Sequence, residues 1–411
     1  MERAATGRLR RYGRGRAGLT VRICLVDTLN ERHVTTSLAR ALSARGHDVL
    51  MTGPVWHGWR LPNEAEDRAR LAVVVNGVID MRPDVVLAIR SAALRPEQVD
   101  RLRANKIFTV AWFSDDPVLY KIHTARVAPH YDVTLHTATA PTLEMYEFSL
   151  GVRGLAFPFW TDETAFPRSY DARRCDLDLV FIGNTQTRVK RWRYDWIADL
   201  PMSRAIYGEV ADDPAGIHAG VAPDDRSLAR ACVRGRWGLN ISQRFVDYAG
   251  TRFDFPGFAD LGEYSMPSRI VQLAALGVPT VSLVGSEQAA QSMARLFPPV
   301  VTVRAAAELT ALVTGTCEDL EALHTSSADM HTWFSHHYTA SARARFLEQV
   351  IAAPRKWTKL TAARRATAFL DVPDGRRAVD KLVFHGIRTL RAVGRRPRRA
   401  ADAGSDAEAI G

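Results

Sequence analysis

At 411 residues the chain is longer than one hydrophobic core usually serves, and its 46% hydrophobic and 24% charged content excludes a mainly disordered polypeptide and points to two globular domains. No run approaches the roughly 18 apolar residues of a membrane helix, and the N-terminus has no apolar signal-peptide core, so a cytoplasmic protein is expected. The net charge of +10 sits at the ends: residues 1–22 carry +6 and residues 351–411 carry +8, leaving −4 for residues 23–350. That distribution suits peripheral contact of basic termini with an anionic membrane face better than a nucleic-acid-binding body, and no specific nucleic-acid partner is expected.

Residues 1–20 read as a basic flexible arm. VRICLVD (21–27) is a buried strand; Asn30 sits at an N-cap position before a helix whose apolar residues are Val34, Leu38, Ala41 and Leu42 and which stops at Gly46. HDVLMTG closes a β-α-β unit. Alternation continues through a helix near 64–81, the strand 83–90, a helix from Pro96, and the strands 106–113, 131–137 and 152–159. Strands that are apolar throughout, separated by helices, indicate a parallel sheet covered on both faces, complete by about residue 159.

Residues 160–176, without periodicity, read as a linker. A second doubly wound domain spans 177–352: LDLVFIGN (177–184), a helix over 188–199, MSRAIYG (202–208), a helix near 225–234, RWGLNIS (236–242), the helix PSRIVQLAALG with Pro at its first turn and Gly at its end, and VPTVSLVG. Residues 353–411 form a basic helical extension and disordered tail. Its stretch 381–393 is amphipathic, fit for a membrane surface or for docking on the body. The fold class is therefore α/β, two Rossmann-like domains facing a cleft, the geometry of an enzyme with one substrate per domain.

At the cleft end of the second sheet, Gly183 in FIGN lets backbone approach a ligand, and the following helix start with Arg188 offers N–H groups and a charge to phosphate. Ser265, Pro267, Ser268 and Arg269 lie at another helix entrance, with Gln272 one turn in, able to hydrogen-bond a ribose hydroxyl or serve as a solvent-exposed amide. In the first half, Ser114-Asp115-Asp116-Pro117 ends a strand; a carboxylate there can orient an acceptor hydroxyl or act as general base, or else cap a helix starting at Pro117. Asp115 is the preferred functional member, and His136 is a second base candidate or a buried, satisfied histidine. KRWRYDW (190–196) places Trp192 and Trp196 on one helical face, read as packing. The four cysteines form no C-x-x-C pair and His336 and His337 are not at metal-ligand spacing, so structural thiols and no metal are expected.

FIGN, YG at 207–208, LNIS (239–242), PSRIVQLAALG with VPTVSL, HHYTASARARFLEQV (336–350) and WFSDDP (112–117) together resemble glycosyltransferases of the CgeB-like, spore maturation protein type, in the GT-B superfamily near family 4, over about residues 106–350. The resemblance implies a GT-B fold and metal-independent transfer of a sugar from a nucleoside-diphosphate sugar, a co-substrate in place of any cofactor. The acceptor, a glycan, lipid-linked or small molecule, is unidentified. It implies a donor site of Gly183, Asn184, Arg188, Tyr207, Gly208, Ser265, Met266, Pro267, Ser268, Arg269 and Gln272, catalytic candidates Asp115, Asp116 and His136, and a helix at 338–350 that closes the donor domain. The family pattern R-x-F-E reads Arg269-Ile270-Val271-Gln272 here, an amide in place of the acid; a non-catalytic nucleotide-binding scaffold is the alternative. The segment between LNIS and PSRI is longer than usual.

Overall fold

The computed structural model describes residues 10–12, 20–27, 34–53, 64–89, 94–137, 140–152, 154–264 and 267–353. The first sheet uses β1 (Arg10–Tyr12), β2 (Arg22–Val26), β3 (Asp48–Thr52), β4 (Val85–Ile89), β5 (Phe108–Phe113), β6 (Val133–His136) and β7 (Gly154–Ala156) in the order β1-β3-β2-β4-β5-β6-β7. All neighbours are parallel except β1, which pairs antiparallel to β3, so part of the expected flexible arm is an edge strand. Helices α1 (Val34–Ala44), α2 (Glu64–Met81), α3 (Pro96–Ala104), α4 (Ala125–Val127) and α5 (Ala140–Leu150) connect the strands. β3 and β4 are buried at every position, the signature of a sheet with helices on both faces.

The second sheet, all parallel, runs β14-β13-β10-β8-β9. Its strands and helices in chain order are β8 (Leu177–Ile182), α6 (Arg191–Ala198), β9 (Arg204–Tyr207), α7 (Asp225–Cys232), β10 (Gly235–Ile241), the ribbon β11 (Gln243–Arg244) and β12 (Glu263–Tyr264), α8 (Ser268–Leu276), β13 (Thr280–Leu283), α9 (Glu287–Leu296), β14 (Val301–Val303), α10 (Ala306–Thr316), α11 (Leu320–His337) and α12 (Ala340–Ala352). Pro267 stands at the N-cap of α8, and Gly277, at φ 79°, ends it in the left-handed conformation that glycine adopts without steric cost.

Two findings change the domain boundaries read from the sequence. α12, assigned above to the donor domain, packs its buried Ala340, Ala344, Leu347 and Val350 into the core of the first sheet, with Phe346 against Phe157. Its apolar face lies mainly against α1 and the first core. The expected linker 160–176 is likewise shared out: Trp160 lies in the first core, whereas Phe166, Tyr170 and Ala172 lie in the second. The chain thus passes between domains twice, side by side, where Thr161 bridges Thr339 and Glu163 accepts hydrogen bonds from Ala340 N and Ser341 Oγ. The extension from residue 354 onward, with the amphipathic stretch 381–393, lies outside the described residues.

Candidate functional site in the interdomain cleft

Strands β8 and β9 deliver two glycines to the cleft. Gly183 N donates to Tyr207 O at 2.9 Å, and Gly208 backs onto Gly183 so closely that a Cβ there would lie 2.4 Å from Gly183 O. On its other side Gly183 faces Arg269: a Cβ at Gly183 would come within 3.0–3.2 Å of the guanidinium. Asn184 is spent on the loop itself, accepting from Glu209 N at 3.0 Å and donating to its carboxylate. Tyr207, expected at the donor, points instead into the outer layer. Strand alternation turns it to Val180, Ala205 and Ala231, and its hydroxyl accepts from Arg234 Nη1 at 2.5 Å.

Three cations lie within electrostatic reach of one another, and one of them, Arg269, faces the Gly183 turn. Arg269 lies over the Phe181 ring, centroid distance 4.7 Å, and its Nη1 is buried without a hydrogen-bond partner. Burial and then the nearby Arg193 lower its pKa to about 9, so it stays charged at neutral pH. Arg193, only 3% exposed, has no partner at Nε and is shifted down by burial, with the charges of Tyr248 and Asp247 opposing. Lys190, half-buried at the N-cap of α6, is shifted down by burial, Arg193 and Arg269, and up by Asp115. Neither Lys190 nor Arg193 belongs to the donor set expected from the sequence. The run KRWRYDW was legible as a helix through its tryptophans, but the signal lay in its cations, which follow the Gly turn directly. Arg188, exposed, stands just ahead of that helix. Buried hydroxyls at Thr185 and at Ser242, where β10 ends, also have no partner. Pro267 and Ser268 enter α8, Gln272 is half-buried on it, and Ser265 and Met266 lie outside the described residues.

The opposite wall comes from β5 and β6. Asp116 does not cap a helix at Pro117; the chain passes through turns into a short π-helix at Tyr120–Thr124. Asp116, 2% exposed, accepts from Thr124 Oγ1 at 2.6 Å and pairs with His136 Nδ1 at 3.1 Å. His136, 1% exposed, also meets Thr134 Oγ1 at 3.0 Å and stacks on Phe113. This pair is closed from solvent and satisfied internally. Asp115 is the half-buried carboxylate of the motif; it accepts from Ser114 Oγ at 3.0 Å, and its charge acts across the cleft on Lys190 and Tyr248. Among the described residues no group of three or more potential ligands is placed to hold a metal, and Cys24 and Cys232 are buried thiols pushed up to about 12.

No family model and no curated protein matches the chain. Solved structures do. The fold is similar to that of sucrose-phosphate synthase from Thermosynechococcus elongatus (TM-score 0.56, 13% identity, 81% of this chain and 99% of that one). It is also similar to an α-glucosyltransferase in complex with UDP-glucose and abasic DNA (0.53, 13%, 81% and 99%) and to HepE of Anabaena in complex with UDP and glucose (0.52, 10%, 81% and 100%). The two parallel, helix-covered sheets facing one cleft are the GT-B fold.

Proposed function

We propose that the protein is a glycosyltransferase that holds a nucleoside-diphosphate sugar on the second domain and an acceptor on the first. The observation that carries this reading is the set of Lys190, Arg193 and Arg269, cations desolvated together beside a glycine turn at the carboxyl ends of parallel strands, with Arg193 Nε and Arg269 Nη1 buried and without a hydrogen-bond partner among the described residues. Such unpaired charge is costly unless an anion completes it. A diphosphate fits, and its growing negative charge as the sugar leaves would be met by these side chains and by the N–H groups of the first turn of α8. Asp115 is the carboxylate positioned to orient or deprotonate the acceptor hydroxyl, while the Asp116–His136 pair fixes the loop that carries it. The two most informative structural neighbours bind UDP with glucose or UDP-glucose, which makes UDP-glucose the first donor to try.

Calorimetric titration with UDP-, GDP- and dTDP-sugars, paired with turnover, tests the reading; absence of binding and turnover with every member overturns it. In the same assay Arg269→Ala is expected to weaken donor binding roughly tenfold or more, the worth of a charge-assisted contact.

A further inference from the structure

The segment between β10 and α8, residues 243–264, is a structure of its own. It leaves and re-enters through the β11/β12 ribbon and wraps Phe245, Tyr248, Phe258 and Leu261 into a separate small core. One side of it rests on the first domain: Phe255 packs on Tyr120 with centroids 4.7 Å apart, and Lys121 Nζ donates to Asp254 O at 2.9 Å. The other side rests on α6, where Asp247 Oδ2 accepts from Trp192 Nε1 at 2.8 Å. Arg244 lies 3.8 Å over the same Trp192 ring and donates to Asp247 Oδ1 at 2.9 Å.

Trp192 immediately precedes Arg193 and follows Lys190 by two residues. Its anchorage therefore bears on the placement of the helix start that carries both cations. We propose that Asp247 is a positioning residue for the phosphate-binding cations, and that the 243–264 segment carrying it makes this site complete only while it is braced against the first domain. The inference rests on the donor-site reading above.

Electrostatics and positioning make opposite predictions for Asp247. A carboxylate near an anion site repels the anion, so if Asp247 acted only through its charge, Asp247→Asn would tighten anion binding. If it positions α6, the loss of the charged acceptor from Trp192 and Arg244 weakens binding. The experiment is calorimetric binding of inorganic pyrophosphate and of UDP to the full chain at two salt concentrations. The expected result is about a tenfold loss for Asp247→Asn and a loss of the same order for Trp192→Phe, which keeps an aromatic ring, though a smaller one, but not the N–H. Phe255→Ala, which alters no charge and lies on the first-domain face, is expected to weaken both ligands as well. Lys121→Ala gives a milder version at an exposed contact, in case the phenylalanine variant fails to fold. Equal or tighter binding by Asp247→Asn, or unchanged binding by Trp192→Phe together with the folded first-domain variant, overturns the proposal. Failure of the unmodified protein to bind pyrophosphate or UDP would instead remove the donor-site reading itself and the proposal with it.

Discussion

Gly183 lacks the atom that would displace Arg269, and the two glycines of the site differ in what a methyl would meet. At Gly183 it meets the far end of a flexible side chain; at Gly208 it meets the backbone oxygen of Gly183. Gly183→Ala is therefore expected to move the guanidinium and lower donor affinity about tenfold, with some fall in melting temperature because alanine is strained at the φ of 157° found there. Gly208→Ala should instead destabilise the fold by about 1–3 kcal/mol, as overpacking does. Paired titration and thermal melts of the two variants separate these outcomes. Reading the sequence put Gly183 and Arg269 at two helix entrances of one donor site because glycine and arginine there carry their chemistry in their type. Tyr207 was misjudged because a residue at a strand end can face either layer, and nothing short of the register decides which. Arg193 was missed because burial of a cation is a tertiary fact: its neighbours Asp247 and Tyr248 lie about 55 residues further along the chain.

At the scale of elements, the strands of both sheets were legible except β1, in the expected arm, and the short β14, since apolar runs buried on both faces look alike in sequence and in structure. The destination of α12 was not. An amphipathic helix states that it has a buried face without naming the partner, and the 243–264 segment has aromatic residues at no helical or strand period. The docking of α12 on α1 is reinforced by Glu348, which takes a bidentate contact from Arg45 at 2.6 and 2.5 Å and a third from His47 Nε2 at 2.9 Å. Burial pushes its carboxyl up, but the hydrogen bonds from Arg45 and His47 outweigh that and hold it below the usual range. A lowered folded-state pKa contributes stability above the ordinary carboxylate range and loses it as pH falls through the folded value. Glu348→Gln is thus expected to melt below the parent at neutral pH, by less than about 1 kcal/mol because the contact is partly solvated. The difference should close as pH falls below about 4, which parallel melts across pH would reveal. Leu347→Ala, by contrast, removes a buried side chain from the same helix and should cost about 2–5 kcal/mol at every pH.

For the whole molecule, charge and fold are separable. The body is slightly acidic and no helix among the described residues is long and apolar enough to cross a membrane, whereas the basic residues lie at the two ends of the sequence. Removing residues 354–411 is expected to leave UDP binding unchanged and to abolish salt-sensitive sedimentation with anionic phospholipid vesicles. Vesicle binding that survives the truncation would assign it to residues 1–22 or to the body instead.

The paired crossings at Thr161 and Thr339 also set an order of assembly during synthesis. The second domain is one continuous stretch, but the core of the first needs Ala340, Ala344, Leu347 and Val350, which leave the ribosome after the whole second domain. The usual sequence, in which the N-terminal domain folds first, is therefore unavailable in full here. A nascent first domain must wait with the α1 groove open, and a chain stalled before residue 340 should hold a native second domain beside a protease-sensitive first one.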